Sequence, residues 1–275
     1  PPPPPPFSSR TRHTRLHEKS RGLGDVYKRQ RLGRRSQPMI RWFAHSFSLL
    51  TNGMLAALVL GAALPGTHRV IYPDAAGLTE VSPRVWTDAP GRADELRSLA
   101  NATRARVRDF FGDIPPKPTL ILCTTRTCAR EFGIGGNGLS IPRVAVMVSP
   151  GGLTMGTLTH EMTHFRLHRT MGLRNIFNQP YPTWFDEGLA THVANHPDWR
   201  GEITDAARER VREVQRFWQW DDAYRALGVG VAYGAAAAEV ARIEARAGRG
   251  GLLELIARAE AGEDFDDLAR ELATR

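Results

Sequence analysis

Hydrophobic residues first recur with a helical period between residues 92 and 111. Their spacing of three and four residues predicts one amphipathic helix, which Gly112 and the prolines after it should end. The predicted buried stripe consists of Leu96, Leu99, Thr103, Val107 and Phe110. Residues 119–122 and 143–148 are short apolar runs bounded by turn signals, which indicates strands. The first run carries no charge, so we expect it to lie inside a sheet.

The pattern changes after residue 153, where helical spacing continues to the end of the chain. The predicted helices are 154–171, 185–195, 203–227, 232–247, 251–261 and 264–273. Short extended segments are predicted at 70–72 and 80–81, and the glycine-rich residues 133–138 are typical of a loop. Strands with one early helix, followed only by helices, indicate an α+β fold with a small N-terminal sheet and an all-helical C-terminal half.

Positive charge is concentrated near the N terminus. The chain has a formal net charge of +8, but residues 1–42 hold 11 Lys/Arg and only 2 Asp/Glu. The remainder holds 26 basic and 27 acidic residues. Because this body is nearly neutral, we expect no nucleic-acid partner.

Residues 39–66 have the pattern of an export signal. Three arginines precede the apolar run 53–64, which is shorter than the roughly 20 residues that a full membrane span needs. Counted from Trp42 the run is longer, so attachment to a membrane through residues 42–64 stays open. The predicted segments are a basic leader that is disordered or not native (1–38), a signal peptide or membrane anchor (39–66) and a domain exported to the periplasm or another extracytoplasmic space (67–275).

The chain has two cysteines, Cys123 and Cys128, separated by four residues. A metal site built on cysteine needs more thiolates or nearby histidines, so this spacing does not favour one. In an oxidising compartment a local disulfide is the favoured interpretation, and two unpaired structural thiols are the alternative.

The sequence His160-Glu161-Met162-Thr163-His164 lies within the predicted helix 154–171. Side chains four residues apart share one helix face, so both imidazoles can reach a single zinc ion. Glu161 follows the first ligand directly, which places it beside the metal, where it can accept a proton from water. The opposite face can be buried through Met155, Leu158, Met162 and Phe165.

A catalytic zinc ion needs a third protein ligand. The metzincin pattern would require Gly and His at the positions of Leu167 and Thr170, so it is excluded. Glu187 supplies a carboxylate near the start of the next predicted helix, and Asp186 is an alternative ligand. Gly188 lacks a Cβ atom, so we expect this helix to pack closely against the histidine helix.

The two motifs, His160–His164 and residues 182–190 (PTWFDEGLA), resemble the gluzincin peptidases, specifically the bacterial peptidase MA-like group. The resemblance covers roughly residues 67–275. It implies a zincin-like fold, Glu187 as the third zinc ligand and hydrolysis of a peptide or protein substrate. Twenty-two residues separate His164 from Glu187, slightly more than in the aminopeptidase and thermolysin branches. No counterpart of the aminopeptidase GAMEN motif is present, which argues against trimming of N termini.

The same resemblance assigns two further features. It makes the strand at 143–148 the edge strand along which an extended substrate lies. It also places Tyr233 across from the metal as a donor to the substrate oxyanion, and the alternative is a tyrosine packed at the start of a helix.

The sequence pattern is less specific for the function of the other histidines and of two tryptophans. His168 partly shares the face of His160 and can support the ligands, although a surface or core histidine is the commoner case. His192 and His196 are expected on a helix surface. Trp218 and Trp220 either pack against the domain or form a patch that faces a partner or a membrane.

These features together predict a zinc metallopeptidase in which Glu161 is the general base. One alternative is a non-catalytic, zinc-stabilised binding protein of the cell envelope, but a purely structural site has no use for Glu161. Another is a zinc hydrolase of non-peptide amides such as cell-wall crosslinks, and no residue separates it from a peptidase.

Overall fold

Five short strands form one mixed sheet. The computed structural model describes residues 66–112, 117–171, 179–196 and 202–274. The strands are β1 (Thr79–Ser82), β2 (Val85–Thr87), β3 (Thr119–Leu122), β4 (Gly138–Ile141) and β5 (Ala145–Val148). Their order in the sheet is β1-β2-β3-β5-β4, with the β2–β3 and β3–β5 pairs parallel and the two outer pairs antiparallel. Strand β4 is therefore at one edge, and β5 is inside.

Eight α-helices occur within the described residues. They are α1 (Ala93–Phe111), α2 (Arg126–Glu131), α3 (Met155–Leu167), α4 (Thr183–Ala194), α5 (Asp205–Arg212), α6 (Trp220–Leu227), α7 (Val229–Glu260) and α8 (Phe265–Thr274). From residue 155 onward the described chain contains helices and no strand, as the sequence predicts. The chain is thus a mixed α and β structure.

Several predicted elements are confirmed with small shifts at their ends. Helix α1 carries Asp94 and Glu95 in its first turn and Arg108 in its last, which complements the helix dipole. It ends at Gly112, whose φ of 85° suits glycine. The strand predicted at 143–148 begins only at Ala145, because the preceding residues form a turn.

Other predictions are wrong or incomplete. Residues 70–72 are not extended, since Thr67–Ile71 is a 3-10 helix, and three apolar residues are too few to define a period. Strands β2 and β4 and helix α2 were not predicted. The glycine at position 248 does interrupt the helical run, with φ 71° and ψ 171° inside α7.

The single helix predicted over 203–227 is broken into α5 and α6. Its residues Val214 and Gln215 use their carbonyl oxygens for a tertiary contact, accepting hydrogen bonds from the N–H groups of Trp184 and Thr183 at 3.1 and 3.3 Å. The first N–H groups of a helix have no partner inside it. The break therefore supplies acceptors to the beginning of α4, the helix that carries Glu187.

The sheet is covered on both faces. Leu120 and Leu122 of β3 belong to the large core shared with the helices, while Ile121 belongs to a second cluster on the opposite face. This explains why β3 is an uninterrupted apolar run. Cys123 and Cys128 form a disulfide that joins the end of β3 to α2, which confirms the favoured interpretation of the two cysteines.

No single helix in the described ranges is both long and apolar enough to cross a membrane. One pair, Phe217–Leu227 with Val229–Glu260, passes that test only when taken together, and it is bent by 118°. The predicted leader and the segment 42–64 lie outside the described residues.

Candidate metal centre

Helix α3 places both motif histidines at the centre of the domain. Its N terminus is capped by Thr154, whose Oγ1 accepts a hydrogen bond from the N–H of Thr157 at 3.1 Å. The helix packs against α1, α4, β4 and β5. Three of the four side chains predicted to be buried lie in the core: Leu158, Met162 and Phe165. Met155, predicted to be buried with them, is 38% exposed.

His160, His164 and Glu187 converge on one point. The Nε2 atoms of the two histidines are 3.0 Å apart. Glu187 Oε2 lies 3.3 Å from Nε2 of His160 and 3.4 Å from Nε2 of His164. The three atoms form a nearly equilateral triangle of two nitrogens and one carboxylate oxygen, an arrangement that can hold a metal ion.

The triangle is shielded from solvent but is not closed. The side chains of His160, His164 and Glu187 are 5%, 10% and 19% exposed. Glu187 Oε2 is buried and makes no well-oriented hydrogen bond with any described residue. The two imidazoles therefore stabilise this carboxylate through their charge and proximity, and a cation at the triangle would supply the same stabilisation.

Burial and charge act in opposite directions on these three groups when no metal is bound. Burial lowers the pKa of His160. Burial also disfavours the charged form of His164, but the carboxylates of Glu187 and Asp186 outweigh it and raise its pKa well above the usual value. Burial raises the pKa of Glu187, yet the neighbouring His164 and His160 bring it down to about 2. The metal-free site thus holds a proton on His164.

Asp186 faces the outer side of His164 rather than the triangle. Its Oδ1 accepts a hydrogen bond from His164 Nδ1 at 3.0 Å. A carboxylate in this position fixes the ring so that Nε2 faces the triangle. The alternative in which Asp186 replaces Glu187 as ligand is therefore disfavoured.

His168 supports Asp186 in turn. Its Nε2 lies 2.6 Å from Asp186 Oδ2, and its ring is stacked on that of His164 with centroids 5.5 Å apart. His168 is therefore neither a surface histidine nor a purely apolar core residue. The less common sequence interpretation, support of a ligand, matches its position.

Glu161 lies beside the triangle, next to the edge strand. Its carboxylate accepts a hydrogen bond from the backbone N–H of Ser140 in β4. A Cβ atom on Gly138 would lie 2.5 Å from Glu161 Cγ, so only glycine leaves room for this side chain. Burial raises the pKa of Glu161 to about 7 in the metal-free site. A carboxyl group with a pKa near neutrality suits proton transfer.

The edge strand beside the site is β4, so the assignment of that role to residues 143–148 is wrong. Strand β5 is hydrogen-bonded on both sides, to β3 and to β4. The N–H of Ser149 donates to the carbonyl of Asn137 at 2.9 Å. This bond identifies which residues of β4 direct their backbone groups toward β5 and which direct them away from it. The backbone groups of Gly138 and Ser140 point away from β5, to the edge that no other described strand covers, and there the Ser140 N–H donates to Glu161. Glycines within β4 and just before it made this segment look like a loop in the sequence.

Tyr233 borders the metal centre from α7. Its ring meets that of His160 edge to face, with centroids 5.6 Å apart. Burial raises the pKa of Tyr233, and the carboxylates of Glu187 and Glu161 raise it further. Its hydroxyl therefore keeps its proton.

The two later histidines have different environments. His192 is paired with Glu244 of α7 at 2.5 Å and lies outside the metal triangle. His196 follows the end of α4, and its ring occupies the space where a Cβ atom of Gly156 would be. It therefore covers the first turn of α3, so its expected place on a helix surface is wrong.

The two tryptophans also differ. Trp220 is buried, with its ring 5.1 Å from that of Tyr233, so it supports the wall of the site. Trp218 is 55% exposed and stacks edge-on with Phe217. Only Trp218 retains the features of a surface patch.

Gly188 makes a close helix contact, but with a different partner from the one expected. A Cβ atom there would lie 2.5 Å from the carbonyl oxygen of Ala236 in α7. The glycine therefore brings α4 against α7, which carries Tyr233, and not against α3. Thr191 also borders the site, since its Oγ1 lies 3.5 Å from His160 Nδ1, and it was not predicted from the sequence. Its spacing of four residues from Glu187, which places both on one face of α4, is a signal that could have identified it.

The chain matches no protein-family model, no curated protein and no solved structure.

Proposed function

We propose that this protein is a zinc metallopeptidase of the gluzincin type, with a zincin-like fold. The observation that carries the proposal is the convergence of His160, His164 and Glu187 on one point, with Glu161 beside it. A structural zinc site usually has four protein ligands, whereas a catalytic one has three and an open position. Three ligands with an adjacent carboxylate favour catalysis.

Zinc fits the donor set and its dimensions. Zinc–nitrogen distances of about 2.0–2.1 Å in a tetrahedral arrangement separate neighbouring ligand atoms by about 3.3–3.4 Å. The three separations in the triangle are 3.0, 3.3 and 3.4 Å. Two imidazoles and one carboxylate form a common ligand set of catalytic zinc in peptidases.

The chain supplies the remaining parts of the reaction. Zinc provides Lewis acidity and lowers the pKa of water to about 7. Glu161 takes the proton of the attacking water and delivers it to the nitrogen of the leaving amine. The Tyr233 hydroxyl donates a hydrogen bond to the oxygen of the substrate carbonyl as negative charge develops there. Asp186 keeps the His164 ring in its ligand orientation.

The free edge of β4 favours a peptide as substrate over other amides. An extended peptide can add to an unpaired strand edge through backbone hydrogen bonds. The edge runs past Glu161, whose carboxylate accepts the N–H of Ser140, so a peptide would pair with the other outward backbone groups of Gly138 and Ser140. A peptide bound along β4 would therefore present a carbonyl group next to the general base. No observation of comparable weight favours a non-catalytic binding protein.

We further propose that the domain works in an extracytoplasmic compartment. The Cys123–Cys128 disulfide supports this, because disulfides persist mainly where the environment is oxidising. A membrane anchor in residues 42–64 stays a prediction from the sequence.

Zinc binding should release protons. In the metal-free site His164 carries a proton on Nε2, where the ion must bind, so zinc has to displace it. We expect at least one proton released per zinc near pH 7, because the ion also favours the charged form of Glu161, whose pKa is about 7 without metal, and an affinity that falls at least tenfold per unit as the pH is lowered. Isothermal titration calorimetry in buffers with different ionisation enthalpies measures the release. No proton release at pH 7 would mean that His164 is neutral before zinc binds.

The test of the proposed function is hydrolysis of an unfolded polypeptide, such as a casein, by the zinc-loaded protein. Mass spectrometry of the products identifies internal cleavage sites. Activity that a chelator removes and zinc restores supports a metallopeptidase. A zinc-loaded protein that leaves polypeptides intact and cleaves a non-peptide amide would contradict it.

A further inference from the structure

A chain of three side chains extends from the metal triangle to the edge of the site. His164 Nδ1 contacts Asp186 Oδ1 at 3.0 Å, and Asp186 Oδ2 contacts His168 Nε2 at 2.6 Å. Asp186 is 5% exposed, so its carboxylate is largely shielded from bulk water. Each oxygen has one histidine as its side-chain partner among the described residues.

The three residues come from two helices. His164 lies in the last turn of α3, and His168 lies one turn later, in the 3-10 turn His168–Thr170 that extends it. Asp186 reaches them from the first turn of α4. The spacing of four residues stacks the two imidazole rings, so a single carboxylate can bridge them.

We propose that His168 is a positioning residue of the metal centre, which acts through Asp186 to hold His164 in its ligand orientation. This inference rests on the proposed zinc site, and it assigns a role to a residue outside the two motifs. Without His168, Oδ2 of Asp186 would be buried without a partner, and the carboxylate could rotate away from His164. A ligand ring that is free to turn costs metal affinity.

A second metal ion held by His164, His168 and Asp186 is the competing explanation, since these atoms also lie close together. Such an ion would take Nδ1 of His164 and would stand beside the first one. The short contact between His168 and Asp186 is that of a charge-assisted hydrogen bond, which leaves no space for an ion between them. The geometry therefore favours one ion and an outer support.

The experiment measures zinc affinity in the full chain by competition with a chromophoric chelator. We expect His168→Phe to weaken binding about tenfold, within the range found when outer support of a ligand is lost. His168→Gln should retain affinity within about threefold, because its amide can donate to Asp186 from a similar distance. Asp186→Asn should weaken zinc binding at least as much as His168→Phe. The double variant His168→Phe/Asp186→Asn should be no weaker than Asp186→Asn alone, because the two residues act in series.

His192→Phe is the matched control. It removes a histidine–carboxylate pair of similar geometry, with Glu244, on the neighbouring helix α4 and should leave zinc affinity unchanged. Wild-type affinity in His168→Phe, additive effects in the double variant, or a second bound zinc that His168→Phe removes would overturn the role of His168. The outcome is separable from the proposed activity, because a zinc site with this pattern but no peptide hydrolysis would contradict the activity alone.

Discussion

Glu161→Gln should lose peptide hydrolysis while keeping its zinc. The amide has nearly the same volume, and its oxygen can still accept the N–H of Ser140 in the space next to Gly138. It has no basic oxygen to take a proton from water, so the general-base contribution of about 10²- to 10⁴-fold disappears from the rate. The measurement is kcat/KM on the unfolded polypeptide, together with zinc content, at neutral pH.

A matched substitution separates this effect from damage to the fold. Glu209 is exposed on α5, so Glu209→Gln makes the same chemical change away from the metal centre and should leave both quantities unchanged. Hydrolysis retained by Glu161→Gln would refute its role as base. Loss of zinc together with activity would instead place Glu161 among the ligands.

Glu187→Ala should lose zinc. The substitution leaves two imidazoles and replaces the third ligand with a void, whereas catalytic zinc sites use three protein ligands. We expect the loss in affinity to exceed the roughly 10- to 100-fold typical of residues that only support ligands. It should therefore exceed the effect of Asp186→Asn in the same chelator competition.

The losses of zinc affinity on substituting the two carboxylates can therefore be compared directly. Asp186 and Glu187 are neighbours in sequence, yet one contacts the outer nitrogen of His164 and the other faces Nε2 of both histidines. If Asp186→Asn lost more zinc than Glu187→Ala, the ligand assignment would have to be exchanged. The control Glu209→Ala should bind zinc like the wild type.

The pairing of the two histidines is predictable from the sequence because it depends on local spacing. His160 and His164 share a helix face by the geometry of any α-helix, whereas Glu187 is expected beside them from the resemblance of its motif to the gluzincin peptidases. Asp186 is harder to interpret, since its contacts with His164 and His168 depend on how α4 crosses α3. Helix crossings are tertiary, and their geometry is not encoded in the spacing of either helix.

The place of a strand in the sheet likewise depends on tertiary contacts that the sequence pattern does not show, as β4 illustrates. Strand β4 has the sequence Gly138-Leu139-Ser140-Ile141, in which glycine and serine weaken the strand signal, whereas β5, of the same length, is an apolar run. The strand order that makes β4 the edge is a property of pairing between strands, and a run of apolar residues indicates burial rather than position. The break in the helix predicted over 203–227 likewise results from tertiary hydrogen bonds to the first turn of α4.

The zinc content of the purified wild-type protein tests the central claim most directly. Elemental analysis of protein made in an oxidising host, with Glu187→Ala prepared in parallel, gives the number of zinc ions per chain. We expect about one zinc per chain in the wild type and little in the variant. A well-folded wild type that takes up no zinc even when the metal is supplied, or equal zinc in both proteins, would contradict it.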